Sequence, residues 1–247
     1  MKTDFILVIP ARLNSTRLNR KLLLKINGIS IIQRTFQKAY EALKDNKKIV
    51  IATDSEEIKE HCEGFGANTF LTSNACLTGT DRVAELATKL KKEQYINLQG
   101  DEPIFPPKEL IKFINKATED PSIIHTAIKR IDNEDDYRNI SIPKMVFSKR
   151  KKLLYSSRAS IPANKSKEFK IAYKHVCVYA FNANHLKIFR DQNKKTFFEK
   201  EEDLEINRFL ELDLHVNCIE LERCGKALDN KEDYEKIKKF IIENESI

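Results

Sequence analysis

Short apolar runs alternate with amphipathic segments through the first half of the chain. Residues 5–9 (FILVI), 48–52 (KIVIA), 68–72 (NTFLT) and 95–99 (YINLQ) are too short for helices and read as buried strands. Between them, residues 31–43, 55–62 and 80–90 place apolar positions at helical spacing, each segment long enough to cross from one parallel strand to the next. Repeated β-then-α units predict an α/β fold with a doubly wound, mainly parallel sheet.

The regularity weakens after Glu119. Residues 122–130 (SIIHTAIKR), 144–148 (KMVFS), 152–156 (KLLYS) and 173–181 (YKHVCVYAF) read as strands with few helices between them. They predict mixed or antiparallel additions, a small lobe suited to dimerisation. A helical pattern returns at 203–212, followed by a strand at 215–221 and a final helix at 231–242. No Pro/Gly/Ser-rich linker and no internal repeat divides the chain, so residues 1–247 are expected to form one domain.

Composition narrows the class. No stretch approaches the roughly 18 apolar residues of a membrane span, and the first apolar run is too short for a signal peptide before it meets Arg12. A cytoplasmic protein without membrane insertion is expected. The five cysteines have neither CxxC nor Cys/His spacing, and are expected as reduced thiols, mostly in the core. A net charge of +7 suits a nucleic-acid partner or a polyanionic small molecule. The densest basic cluster, KRKK at 149–152, lacks interleaved aromatics and reads as a solvated turn between two strands, so no nucleic-acid partner is expected.

Ligands of open α/β sheets bind beyond the carboxyl ends of the strands, and the most polar segments fall there. The loop IPARLNSTRLNRK, 9–21, supplies Arg12, Arg17, Arg20 and Lys21, which suit a polyphosphate or a solvated basic loop. It is not a P-loop, because the glycines and the GK[ST] ending are absent. NLQGDEP, 97–103, places Asp101 and Glu102 just past a central strand, where a carboxylate suits Mg²⁺ or simply a turn. TGTDR, 78–82, reads as a helix start with Thr80 as N-cap. GFGANT, 64–69, follows a helix instead of a strand and reads as a C-cap and turn. On its own, a strand histidine such as His175 reads as a packed or surface residue, and the other four histidines receive no role.

Taken in order, IPARLNSTRLNRK, ATD, TGTDRVAE, NLQGDEP, LYSSRASIP, KHVCVYAF, EEDLEINRFLE and LDNKEDYEKI resemble the cytidylyltransferases that activate 3-deoxy-manno-octulosonate (Kdo), the CMP-Kdo synthetases. The resemblance runs nearly end to end and implies a Rossmann-like nucleotidyltransferase fold. It also implies reaction of CTP with Kdo, a 2-keto-3-deoxy sugar acid, to CMP-Kdo and pyrophosphate, with Mg²⁺, in a homodimer serving lipopolysaccharide biosynthesis.

Carried over by motif, Arg12, Arg17 and Lys21 would hold the triphosphate, and Thr80 and Arg82 would help form the cytidine site. Asp101 and Asp229 would bind the metal, making them catalytic together with Lys21. Gln99, Arg158, His175 and Glu205 would meet the sugar. Three segments depart from the family: TRLNRKLL replaces TRLPGKPL, KHVCVYAF replaces RHLGIYGY, and LDNKED replaces VDTPED. The charged groups survive while the sugar side changes, so an 8-amino Kdo or a sialic-acid-like sugar is an alternative substrate. A non-catalytic basic module that binds nucleic acid is the alternative of another class.

Overall fold

The computed structural model describes residues 3–15 and 18–245; Arg17 and its expected role lie outside them. Among the described residues nine strands form one sheet; seven of them run in the order β5-β4-β1-β6-β10-β7-β11, and the other two form a hairpin off this path, beside β10. The first four are β1 (Phe5–Ala11), β4 (Ile49–Thr53), β5 (Thr69–Leu71) and β6 (Gln94–Leu98), all parallel. Then come β10 (Tyr173–Phe181), antiparallel to both its neighbours, β7 (Ile124–Arg130), and β11 (Val216–Glu220), which runs parallel to β7. A short hairpin, β2 (Lys25–Ile26) and β3 (Ile29–Ser30), stands apart.

Alternation along β1 explains the layering. Phe5, Leu7, Ile9 and Ala11 face a core with α1 (Ile31–Leu43), α2 (Glu56–Glu63), α4 (Pro107–Ala117) and α9 (Lys231–Glu245). Ile6 and Val8 face the other core, with α3 (Gly79–Ala87), α6 (Ala183–Asp191) and α8 (Ile206–Glu211). A strand buried on both faces has no polar alternation to show, which is why FILVI reads as a plain apolar run.

The second half carries the expected mixed and antiparallel additions, most of them within the main sheet. β10, β7 and β11 complete the main sheet, and only the hairpin of β8 (Lys144–Phe147) and β9 (Leu153–Ser157) projects sideways from β10. The KRKK segment is its turn, with Lys151 at φ 64°. Helices are also more frequent there than expected. α5 (Glu134–Arg138) and α6 follow Asn N-caps; the helix expected at 203–212 is the shorter α8, and an additional helix, α7 (Phe197–Glu202), precedes it and ends where Asp203 adopts a left-handed φ of 50°. α4 was equally unannounced, although Leu110, Phe113, Ile114 and Ala117 make a buried stripe at helical spacing.

Beyond β1 the chain builds outward through β4 and β5, then returns to place β6 on the other side of β1. The crevice at the carboxyl ends of β1 and β6 is therefore a topological switch point. Gly100 closes it from below, since a Cβ there would stand 2.6 Å from the carbonyl oxygen of Pro10. No described helix is long and apolar enough to cross a membrane.

Candidate active site

A cavity of about 490 Å³ opens at that switch point, and Arg12, Lys21, Arg82, Gln99, Asp101, Arg158, His175, Glu205 and Asp229 all line it. Its centre is a cation between two carboxylates. Lys21 Nζ donates to Asp101 Oδ2 at 2.5 Å and to the Leu228 carbonyl at 2.8 Å, and lies 3.6 Å from Asp229 Oδ1. The Leu228 N–H in turn donates to the Asp101 carbonyl at 2.8 Å, pinning the two carboxylate-bearing loops together. Glu102, beside them, is buried; that burial, with Asp101 and Asp229 adding repulsion, pushes its carboxyl up to about 8.

Three loops build the β1–β4–β5 side. Asp54, after β4, accepts from Arg82 Nη2 at 2.6 Å and from the Leu13 N–H at 3.4 Å, while Arg82 Nη1 donates to Thr72 Oγ1 at 2.7 Å. Arg82 thus holds the loop after β5 and, through Asp54, the loop after β1. The helix cap differs from expectation: Thr78, not Thr80, is the N-cap of α3, its hydroxyl accepting from the Asp81 N–H and its N–H donating to Asp81 Oδ2. T-G-T-D is a capping box with Asp at its fourth position, which shifts the start two residues earlier. Thr80 is consequently fully buried in the first turn and does not line the cavity; its N–H donates to Glu205 Oε2 at 3.0 Å.

On the opposite side, Glu205 also accepts from Gln99 Nε2 at 2.8 Å, and burial raises its pKa. Arg158 donates through Nε to Glu202 O at 2.6 Å, through Nη1 to Ile140 O at 3.1 Å and through Nη2 to Asp203 O at 3.2 Å. Lys144 braces this arrangement from within the fold, donating to the carbonyls of Asn139 and Arg158 at 2.9 and 2.7 Å; burial pushes its amine down to about 8. His175 comes from the half of β10 that runs past the end of β6. Its Nε2 lies 3.0 Å from Thr126 Oγ1, whose proton goes to Val178 O at 3.2 Å, so Nε2 donates and Nδ1 is the acceptor. Burial drives this imidazole down to about 4, keeping it neutral.

Several lining residues escaped the reading of the sequence. Lys174, Tyr179, Cys76 and Cys224 reach the cavity unannounced, and Cys177 of the altered KHVCVYAF segment lines it too, so of the five thiols only Cys62 and Cys218 are core groups. A half-buried cysteine has no sequence signature, but Gly225 has one: a Cβ there would stand 2.8 Å from Glu102 Oε2.

A family model for cytidylyltransferases matches residues 6–216. The 3-deoxy-manno-octulosonate cytidylyltransferase of Elusimicrobium minutum is 38% identical over 246 residues, covering 98% of this chain and 99% of its own. That of Francisella philomiragia is 36% identical over 247 residues, covering 94% and 96%. A solved structure of a CMP:2-keto-3-deoxy-manno-octonic acid synthetase complexed with CTP superposes with a TM-score of 0.88 at 29% identity, over 98% of this chain and all of that one. With a switch-point cavity flanked by arginines and floored by Lys21, Asp101 and Asp229, and with relatives matched over nearly their whole length, this chain belongs to the 3-deoxy-manno-octulosonate cytidylyltransferase family.

Proposed function

We propose that this protein transfers the cytidylyl group of CTP to the anomeric hydroxyl of 3-deoxy-D-manno-octulosonate, forming CMP-Kdo for lipopolysaccharide biosynthesis. The sugar oxygen forms a bond to the α-phosphorus, the bridging α–β bond breaks, pyrophosphate leaves, and the hydroxyl proton passes to solvent. The observation that carries this reading is the convergence of Lys21, Asp101 and Asp229 at the switch point between the Arg12 side and the Arg158 side of one cavity.

Arg12 and Lys21 would bind the triphosphate, and the α3 turn with Arg82 would bound the cytidine. The Arg158 guanidinium donates to the neutral carbonyls of Glu202, Ile140 and Asp203, and its positive charge suits the sugar's carboxylate. Gln99, His175 and Glu205 would orient the sugar hydroxyls, so catalysis by the chain is mainly positioning and charge stabilisation. Asp101 and Asp229 fit Mg²⁺: two hard oxygen donors already converge on one cation, the Lys21 ammonium. When bound there, Mg²⁺ would act as a Lewis acid on the phosphate and the attacking hydroxyl.

The same proposal makes the protein a cytoplasmic homodimer. Leu154 on β9 is 58% exposed, and Phe197 and Phe198 at the start of α7 are 68% and 46% exposed, with Phe198 packing on Tyr155 of β9. Light scattering on the eluted protein tests the assembly. For the activity, pyrophosphate release is measured with CTP and Kdo, with 8-amino Kdo and with N-acetylneuraminate. Fast release with Kdo is expected; negligible rate with Kdo beside a good rate with another sugar would overturn the reading.

A further inference from the structure

The start of α8 is tied to the start of α3 by two bonds of opposite polarity. Glu205, the residue before α8, accepts from the Thr80 N–H at 3.0 Å. One turn later Arg208 Nη1 donates to Asp81 Oδ1 at 3.0 Å. Arg208 is completely buried, and its other face is held by Glu199 of α7, with Nε to Oε2 and Nη2 to Oε1 both at 2.6 Å. Its guanidinium also lies over the Phe189 ring, 3.7 Å from the centroid.

A buried guanidinium is costly unless its donors are satisfied, and a hydrophobic residue would fill this space as stably. Its planar fork instead imposes geometry, fixing the angle between α7, α8 and α3. Asp81 is itself the capping-box partner of Thr78, so the α3 turn cannot shift without disturbing the Arg208 contact.

We propose that Arg208 and Asp81 are positioning residues that couple the two substrate sites, so that ordering the α3 turn around cytidine sets Glu205 for the sugar. This rests on the assignment of the α3 turn to cytidine and of Glu205 to the sugar. By linkage, a nucleotide that orders one end must then tighten binding at the other.

Calorimetry with Mg²⁺ reads this directly, as the dissociation constant of Kdo with and without a CTP analogue bearing a methylene in place of the α–β bridging oxygen. In the unaltered protein the analogue should tighten Kdo binding roughly tenfold, and in Asp81→Asn by less than about threefold. Asp81→Asn leaves both Glu199 bonds to Arg208 in place, and Arg208→Lys, which keeps the charge and loses the fork, should behave alike. A merely structural role would lower the melting temperature while leaving the ratio of the two constants unchanged. Absence of tightening in the unaltered protein, or its full retention in a folded Asp81→Asn, would overturn the coupling. Glu205→Gln separates the two ideas: unchanged Kdo affinity would defeat the sugar assignment, whereas weakened affinity beside intact coupling in Asp81→Asn would defeat the clamp alone.

Discussion

Lys21 and Asp101 meet at 2.5 Å on the floor of the cavity, joining the loop after β1 to the loop after β6 across the switch point. Asp101→Asn keeps the size of the side chain but removes half of the negative charge that faces Lys21. Pyrophosphate release under saturating Mg²⁺ should fall ~100-fold or more in Asp101→Asn and Asp229→Asn, since each removes a charge proposed to hold the metal at the reacting group. Circular dichroism should be unchanged, and full activity in both variants would remove the metal assignment.

Arg20 next to it has the opposite character. It lies in the left-handed region at φ 54°, ψ 30°, and its exposed side chain pairs with Glu57. An L-residue there carries a strain of roughly 1–2 kcal/mol that glycine escapes, while an exposed ion pair returns only about 0–1 kcal/mol. Arg20→Gly should therefore melt within a few degrees of the parent and turn over CTP within about twofold of it. Lys21→Ala should lose activity outright; equal losses in the two variants would show the loop has been divided wrongly.

Arg158 offers a test of the sugar side. Its fork reaches three carbonyls in different directions, through Nε, Nη1 and Nη2, and one ammonium cannot span them. Arg158→Lys should raise the KM for Kdo about tenfold or more with the KM for CTP within twofold, because the charge stays but its placement is lost. A parallel rise in both constants would place Arg158 in the fold instead of the sugar site.

How far these features were legible depended on whether their signal was local. β1, β4, β5 and β6 announced themselves as short apolar runs, and their carboxyl-end loops pointed to Arg12, Lys21 and Asp101, while Arg82 came only through the family resemblance. Arg208 was invisible: its partners Asp81 and Glu199 are 127 and 9 residues away, and nothing in EINRFLE distinguishes a core arginine from a surface one. The Thr80 cap failed on a choice between two threonines two residues apart, settled by Asp81 closing the box onto Thr78. The late start of α8 depends on one left-handed residue, Asp203, at the head of the expected 203–212 pattern, which periodicity does not register.

His175 makes a prediction about acid stability. Burial drops its pKa from 6.5 to about 4, so between those values the unfolded chain binds a proton that the folded chain refuses. Stability contributed by this group is present above about pH 6.5 and is lost as pH falls toward 4, up to ~3 kcal/mol. His125 and His185 are lowered in the same direction by burial, so the contribution of His175 must be taken as a difference. Urea unfolding at pH 7.5, 6.0 and 5.0 should show the parent losing stability faster than His175→Gln, with the gap opening below about pH 6.5. Parallel pH profiles for the two proteins would mean that His175 titrates alike in the folded and unfolded chain, and below about pH 6.5 a charged imidazole would then face the proposed sugar site in place of a neutral one.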